Sequence, residues 1–325
     1  QAEGYFVFPK LEGPISNRMK FQGKEVITWS INDYLGLASE PSLIKAWQKG
    51  ADLYGVGSGG SFLVTGYNLA HHELSARLQS WLGVEAVALF NSGYSANQAI
   101  IKLLLNKQDL LLQDKLNHAS LMEAGFLAPC KMQRFKHNDI AHLGHLLSKA
   151  EQTHKLIISE GVFSMDGDCA PISALHAQAK NNDAWLMIDD AHGLGVVGEN
   201  GQGSVQAAGL VNRDVQIYMA TFGKALGVGG AFVAGSKKLI DYLTNFSKPY
   251  IYSTGMPPAM AYCISHACAI AEKEQWRRDT LNELIFHFRS LASANDIELG
   301  DSSTAIQPII IGDSHRCVAV ANKLK

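Results

Sequence analysis

Between residues 86 and 220, short apolar runs alternate with stretches of helical periodicity, and this alternation constrains the chain most. Residues 86–90, 110–113, 156–159, 185–188 and 215–220 read as strands. Helical spacing follows at 98–105, after Ser120, and at 175–181. Strands that each feed a helix predict parallel pairing through helical crossovers, hence an α/β fold with a mostly parallel sheet. In such a sheet the loops after the strands' carboxyl ends share one edge, where ligands bind. Helices are also expected at 41–54, 71–82, 237–246, 260–274 and 277–294, with a strand at 26–29. A strand at 306–311 and a helix at 317–324 read as the first part of a small α+β domain. The chain therefore divides into an N-terminal segment 1–30, a large domain 31–268 and a partial C-terminal small domain 269–325.

Composition removes several function classes. The formal net charge is −2, which leaves no basic footprint for nucleic acid. No apolar run approaches the roughly 20 residues of a membrane span. Residues 1–4 lack the basic and apolar regions of a signal peptide. The five cysteines are odd in number and irregularly spaced, which suits reduced thiols in a cytoplasm. No metal site is expected. His71-His72-Glu73 lacks a following histidine at zinc spacing, and His142 and His145 have no carboxylate in phase. Gly193-Leu194-Gly195-Val196-Val197-Gly198 matches the dinucleotide pattern in letters only. Asp190-Ala191-His192 separates it from the strand, and no helix can open at Glu199-Asn200-Gly201.

Chemistry gathers at the sheet edge. In Thr221-Phe222-Gly223-Lys224-Ala225-Leu226-Gly227 a single lysine sits among small residues just past a strand. A buried amine of lowered pKa forms Schiff bases readily; the plain alternative is a Gly-rich turn with a solvated lysine. Asp189 ends a strand and His192 follows it. Together they suit a pyridine nitrogen and a ring hydroxyl, or else a buried structural pair. The turn Asn91-Ser92-Gly93-Tyr94 opens a helix, a geometry that aims N–H groups at an anion, and Thr221 adds a hydroxyl. His118 lies in another strand-to-helix loop and could stack on a ring. Taken together the groups describe pyridoxal 5′-phosphate, with Lys224 as the Schiff-base lysine. The glycine- and serine-rich run 55–61 reads as a flexible loop.

Six motifs resemble the α-oxoamine synthases. They are residues 91–97, Asn117-His118-Ala119-Ser120, the run 160–167 from Glu160 to Gly167, Asp189-Asp190-Ala191-His192-Gly193, Thr221-Phe222-Gly223-Lys224, and Tyr252-Ser253-Thr254-Gly255-Met256-Pro257-Pro258. The resemblance runs from about Asn32 to the end. It implies fold type I of the pyridoxal phosphate enzymes and a homodimer with shared sites. It implies Lys224 as Schiff-base partner and base, Asp189 at the pyridine nitrogen, Ser164 and His192 near the ring hydroxyl, and His118 on the ring. Gly93, Tyr94 and Thr221 would hold the phosphate, with Thr254 reaching across the dimer.

The implied reaction is a decarboxylative condensation of an amino acid with an acyl thioester, on coenzyme A or an acyl carrier protein. Residues 303–312 point to alanine and a pimeloyl thioester, with glycine and an acetyl thioester as the alternative. Asn32, His118 and Arg18 (or Lys10) are the expected substrate contacts. An aminotransferase of the same fold would share Lys224 and Asp189; a silent subunit would have no need of Lys224.

Three departures stand out. Phe62 occupies a position where the family usually has arginine. The segment Tyr5-Phe6-Val7-Phe8-Pro9-Lys10 lacks the basic residues expected near the acyl chain. The family's C-terminal segment, whose arginine binds the amino-acid carboxylate, is expected beyond Lys325.

Overall fold

The computed structural model describes residues 10–324. Residues 5–9 of the proposed acyl-binding segment lie outside the described residues. The strands in chain order are β1 (Leu11–Glu12), β2 (Arg18–Phe21), β3 (Lys24–Ile27), β4 (Ala86–Phe90), β5 (Leu110–Asp114), β6 (Lys131–Phe135), β7 (Lys155–Glu160), β8 (Trp185–Asp189), β9 (Ile217–Thr221) and β10 (Ala231–Gly235).

The seven strands β4 to β10 form one sheet in the order β4-β10-β9-β8-β7-β5-β6. From β9 across to β6 every pairing is parallel. Strand β10 runs antiparallel to both β4 and β9, because the short turn after Lys224 sends the chain straight back. The expected mostly parallel α/β sheet is therefore present. Its central strands are apolar on both faces, as burial under two helix layers requires.

Alternate residues divide the core in two. Leu110, Leu112, Ile157, Leu186, Ile188 and Tyr218 face one layer, with the helices Leu69–Leu82, Ile140–Ser148, Ile172–Asn181 and Pro258–Lys273. Leu111, Ile158, Met187, Ile217 and Met219 face the other, with Gly93–Leu104, Ala119–Leu127 and Lys237–Phe246. The helix Pro258–Lys273 packs on Pro41–Tyr54 and runs through position 268, where the sequence suggests a domain boundary. Strands β1 to β3 make a small antiparallel sheet, with Gln22 and Gly23 at positive φ in the β2–β3 turn.

Two sequence expectations are corrected. No strand forms at 306–311. Polar groups there find local partners instead: the Ile306 carbonyl accepts from Ser302 Oγ, and Gln307 Nε2 donates to the Ser302 and Thr304 carbonyls. Conversely, β6 is absent from the sequence reading. Its residues Lys-Met-Gln-Arg-Phe are mostly polar, and it is an edge strand paired with β5 alone.

Candidate active site

Three strand ends meet at the carboxyl edge of the sheet. Strand β7 ends at Glu160, β8 at Asp189 and β9 at Thr221. Glu160 and Asp189 are register partners on neighbouring strands, and both are buried. Asp189 Oδ2 accepts from Asn97 Nδ2 at 2.9 Å and Oδ1 from the Ala191 N–H at 3.1 Å. Burial raises the Asp189 pKa, while the Asn97 hydrogen bond and the Lys224 charge pull it back. Glu160 is pushed up to about 8, by burial first and then by the adjacent Asp189 charge. Its Oε1 has no partner among the described residues.

Lys224 follows β9 through a turn held by its own backbone. Thr221 Oγ1 donates to the Gly230 carbonyl at 2.8 Å and accepts from the Gly223 N–H at 3.2 Å. Gly227 has φ +67°, and a Cβ there would collide with the backbone of Leu37 and Ala38. The lysine turn is thus seated on the loop after β3, which brings Tyr34 into the site.

Lys224 Nζ lies 2.8 Å from His192 Nε2, and His192 Nδ1 lies 2.8 Å from Tyr34 Oη. The Tyr34 hydroxyl donates to Asn32 Oδ1 at 3.2 Å. With Lys224 donating to Nε2, His192 carries its proton on Nδ1 and donates to Tyr34. Burial, then the Lys224 and His118 charges, push His192 down to about 3, so the ring is neutral. Burial also lowers the Lys224 pKa, with Asp189 and Glu160 opposing. An amine that loses its proton more easily than usual, beside a neutral imidazole, is suited to attack a carbonyl carbon or take a proton.

His118 caps the helix Ala119–Leu127, and its Nδ1 meets Ser120 Oγ at 2.8 Å. Ser120 Oγ also accepts from Asn97, which links His118 to Asp189. The exposed His118 ring is open to a planar ligand. At the start of Gly93–Leu104, Ser92 caps the Ser95 N–H at 3.1 Å, while the helix end presents the N–H groups of Gly93 and Tyr94.

Of the remaining expected residues, Ser164 and Thr254 stay at this edge and Arg18 and Lys10 do not. Ser164 lies in the loop after β7, half-buried. Thr254 is exposed and bridges to Ser61, and its carbonyl accepts from Asn91 Nδ2 at 2.8 Å. Arg18 pairs with Glu25 at 2.8 Å on the exposed small sheet, and Lys10 is exposed. Phe62 turns inward among Tyr67, His71 and Tyr250.

The sequence reading assigned no role to Asn97, Glu160 or Tyr34. A signal for Asn97 exists, since it lies one helical turn after Gly93. Glu160 ends its strand as Asp189 does. Tyr34 is invisible without the fold.

His71 is a structural histidine, with Nδ1 accepting from the Asn68 N–H and Nε2 on the Met256 carbonyl at 2.7 Å. A three-residue 3₁₀ turn, Glu199–Gly201, follows Gly198 where the sequence predicts no helix, but Asn200 at φ +52° breaks it and no α-helix opens there. Among the described residues no group of three His, Cys, Asp or Glu side chains could hold a metal ion. No helix among them is long and apolar enough to cross a membrane.

The residues fit pyridoxal phosphate. The donor set holds an amine for the aldehyde, a buried carboxylate for the ring nitrogen, and a helix N-terminus for the phosphate. The family model of class I and II aminotransferases matches residues 24–325, and the chain belongs to that family. Within it the chain is an α-oxoamine synthase, a pyridoxal phosphate-dependent acyltransferase of fold type I. It is 50% identical over 314 residues to the 8-amino-7-oxononanoate synthase of Aeromonas hydrophila, covering 97% of this chain and 78% of that one. The enzyme of that name from Photobacterium profundum is 48% identical over 309 residues, 94% of this chain and 78% of the other.

Solved structures agree. A serine palmitoyltransferase from S. paucimobilis with bound PLP superposes with a TM-score of 0.91 at 26% identity, covering 94% of this chain and 80% of that one. The 8-amino-7-oxononanoate synthase of Francisella tularensis gives 0.80 at 28% identity, covering 92% and 85%.

Proposed function

We propose that the chain condenses L-alanine with a pimeloyl thioester, releasing 8-amino-7-oxononanoate, carbon dioxide and the thiol, in biotin biosynthesis. The thiol carrier is coenzyme A or an acyl carrier protein. The observation that carries this reading is the 50% identity to a relative of that name over 97% of the chain, joined to an intact Lys224–His192–Asp189 group.

When bound, pyridoxal phosphate supplies an electron-withdrawing ring that accepts the electron pair released at the amino acid's Cα. Each protein group then has one task. Lys224 Nζ would hold the aldehyde and, as a free amine, would take the Cα proton. His192, neutral and oriented by Tyr34, receives a hydrogen bond from the amine and faces the ring hydroxyl together with Ser164. Asp189, held by Asn97 and the Ala191 N–H, keeps a negative charge at the ring nitrogen. Gly93, Tyr94 and Thr221 hold the phosphate, with Thr254 of a second copy. His118 covers the ring face. Asn32 contacts the amino acid, and the pimeloyl carboxylate is met by Arg18 or Lys10, since a buried charge needs a cationic partner. For Arg18 this means exchanging Glu25 for the substrate. The protein works in the cytoplasm as a homodimer.

The test is kcat/KM for pimeloyl and acetyl thioesters, each with alanine and glycine. The pimeloyl–alanine pair is expected to be the most efficient. Preference for acetyl with glycine would replace this substrate assignment and leave the site chemistry in place.

A further inference from the structure

Next to the active-site edge lies a second ionic group that the reaction does not use. His137, just past β6, stands between two carboxylates. Its Nδ1 is 3.0 Å from Asp114 Oδ1, at the end of β5, and its Nε2 is 2.7 Å from Asp168 Oδ2, in the loop after β7. A neutral imidazole has one N–H, so it would turn a lone pair toward one of these acceptors; only the imidazolium satisfies both.

Other donors also reach this group, among them Asn138 Nδ2, which lies 3.4 Å from His137 Nε2. Asp114 takes N–H groups from Leu116 at 2.9 Å and Asn138 at 2.9 Å, and Asp168 Oδ2 also takes Asn138 Nδ2 at 2.8 Å. The Phe163 edge closes the ring's face at 4.4 Å between centroids. Asp114 from β5 and Asp168 from the loop are the charged groups facing the ring. On its own segment, the Lys136 backbone N–H goes to His142 and Asp139 caps the next helix. Both hydrogen bonds raise the His137 pKa against the opposing effect of burial.

The clamp acts on the loop that carries Ser164. That loop is closed by Phe163 N–H to the Asp168 carbonyl at 2.9 Å and Gly167 N–H to the Phe163 carbonyl at 2.9 Å. On its far side the Gly167 carbonyl accepts from Thr304 Oγ1 at 2.9 Å, and Ser302 Oγ lies 2.9 Å from the same carbonyl. A Cβ on Gly167 would strike the Ile306 carbonyl, so this seat tolerates little movement. One loop thus joins β5, β6, the active-site edge and the segment 302–306.

We propose that His137, as an imidazolium held between Asp114 and Asp168, is a positioning residue that pins the loop 161–168, and with it Ser164 and the seat of segment 302–306. Its effect on turnover rests on the function proposed above; the clamp itself does not.

Two measurements on the cofactor-loaded protein test it without substrate. Nitrogen-15 NMR of histidine should show His137 losing its second proton only above the ordinary imidazole range. In Asp168→Asn the midpoint of that titration should fall by about 1 or more. Hydrogen exchange of amides 161–168 should accelerate about tenfold or more in His137→Ala, without matching change in the core strands. A third reading concerns activity: the alkaline limb of kcat should move to lower pH in Asp168→Asn, in step with the NMR midpoint. A His137 midpoint within or below the ordinary imidazole range, an unmoved midpoint in Asp168→Asn, or unchanged loop exchange in His137→Ala would each overturn the clamp. If His137→Ala does not fold, the Asp168→Asn titration decides. Failure of the condensation assay alone leaves these outcomes untouched.

Discussion

At the scale of the residue, the site is a problem of proton placement. Lys224 must be an amine rather than an ammonium, and burial supplies that bias while His192 offers a neutral acceptor. Lys224→Ala should therefore reduce turnover to background and remove the visible absorbance of the loaded protein. Appreciable condensation by that variant would sink the assignment. Glu160 makes the opposite demand. Its folded pKa, about 8, stands above its ordinary value, so folding favours the protonated form. The stabilising contribution is complete below the unfolded pKa of about 4.3 and is lost as pH rises through about 8. Glu160→Gln keeps the shape without the titration. Tm measured against pH should fall less steeply over this window in the variant, and parallel curves would count against a protonated Glu160.

Elements set where these residues can stand. Strands β7, β8 and β9 are parallel neighbours, so the residues that end them converge without any contact between their sequences. The turn after β9 depends on Gly227, whose positive φ and close approach to Leu37 and Ala38 leave no room for a side chain. Gly227→Ala should cost about 1–3 kcal/mol of stability and loosen the Lys224–His192–Tyr34 line. The checks are a lowered Tm and a loss of activity larger than the loss of folded protein. A variant with wild-type Tm and kcat would refute the seating argument.

At the scale of the molecule, large apolar side chains remain exposed, among them Val64, Met165 and Tyr252. A second copy over them would complete the proposed shared site, to which Thr254, held by Asn91 of its own chain, is expected to contribute across the dimer. The expected outcome is a dimer by sedimentation. Mixtures of Lys224→Ala and Thr254→Ala chains should recover activity that neither has alone, because one site of each mixed dimer is whole. A fully active monomer, or mixtures no better than the sum of the parents, would end the shared-site reading.

Local chemistry was readable from the chain. Strand–helix alternation predicts the sheet, and a strand end followed by a loop marks Asp189, Lys224 and the Gly93 turn, because each signal lies within a few residues. Edge strand β6 escaped because a polar strand is defined by its partner β5 and not by its own pattern. The 306–311 run looks like a strand because β-branched residues suit one, but a strand needs a neighbour, and the side chains of Ser302 and Thr304 take the Ile306 carbonyl and N–H instead. Tertiary structure alone decided that Glu160 touches the environment of Asp189, that Tyr34 orients His192, and that His137 lies between Asp114 and Asp168. These pairs are far apart in sequence. Their ionisation follows from burial and from charges brought together across the sheet edge, quantities that exist only once the chain has folded.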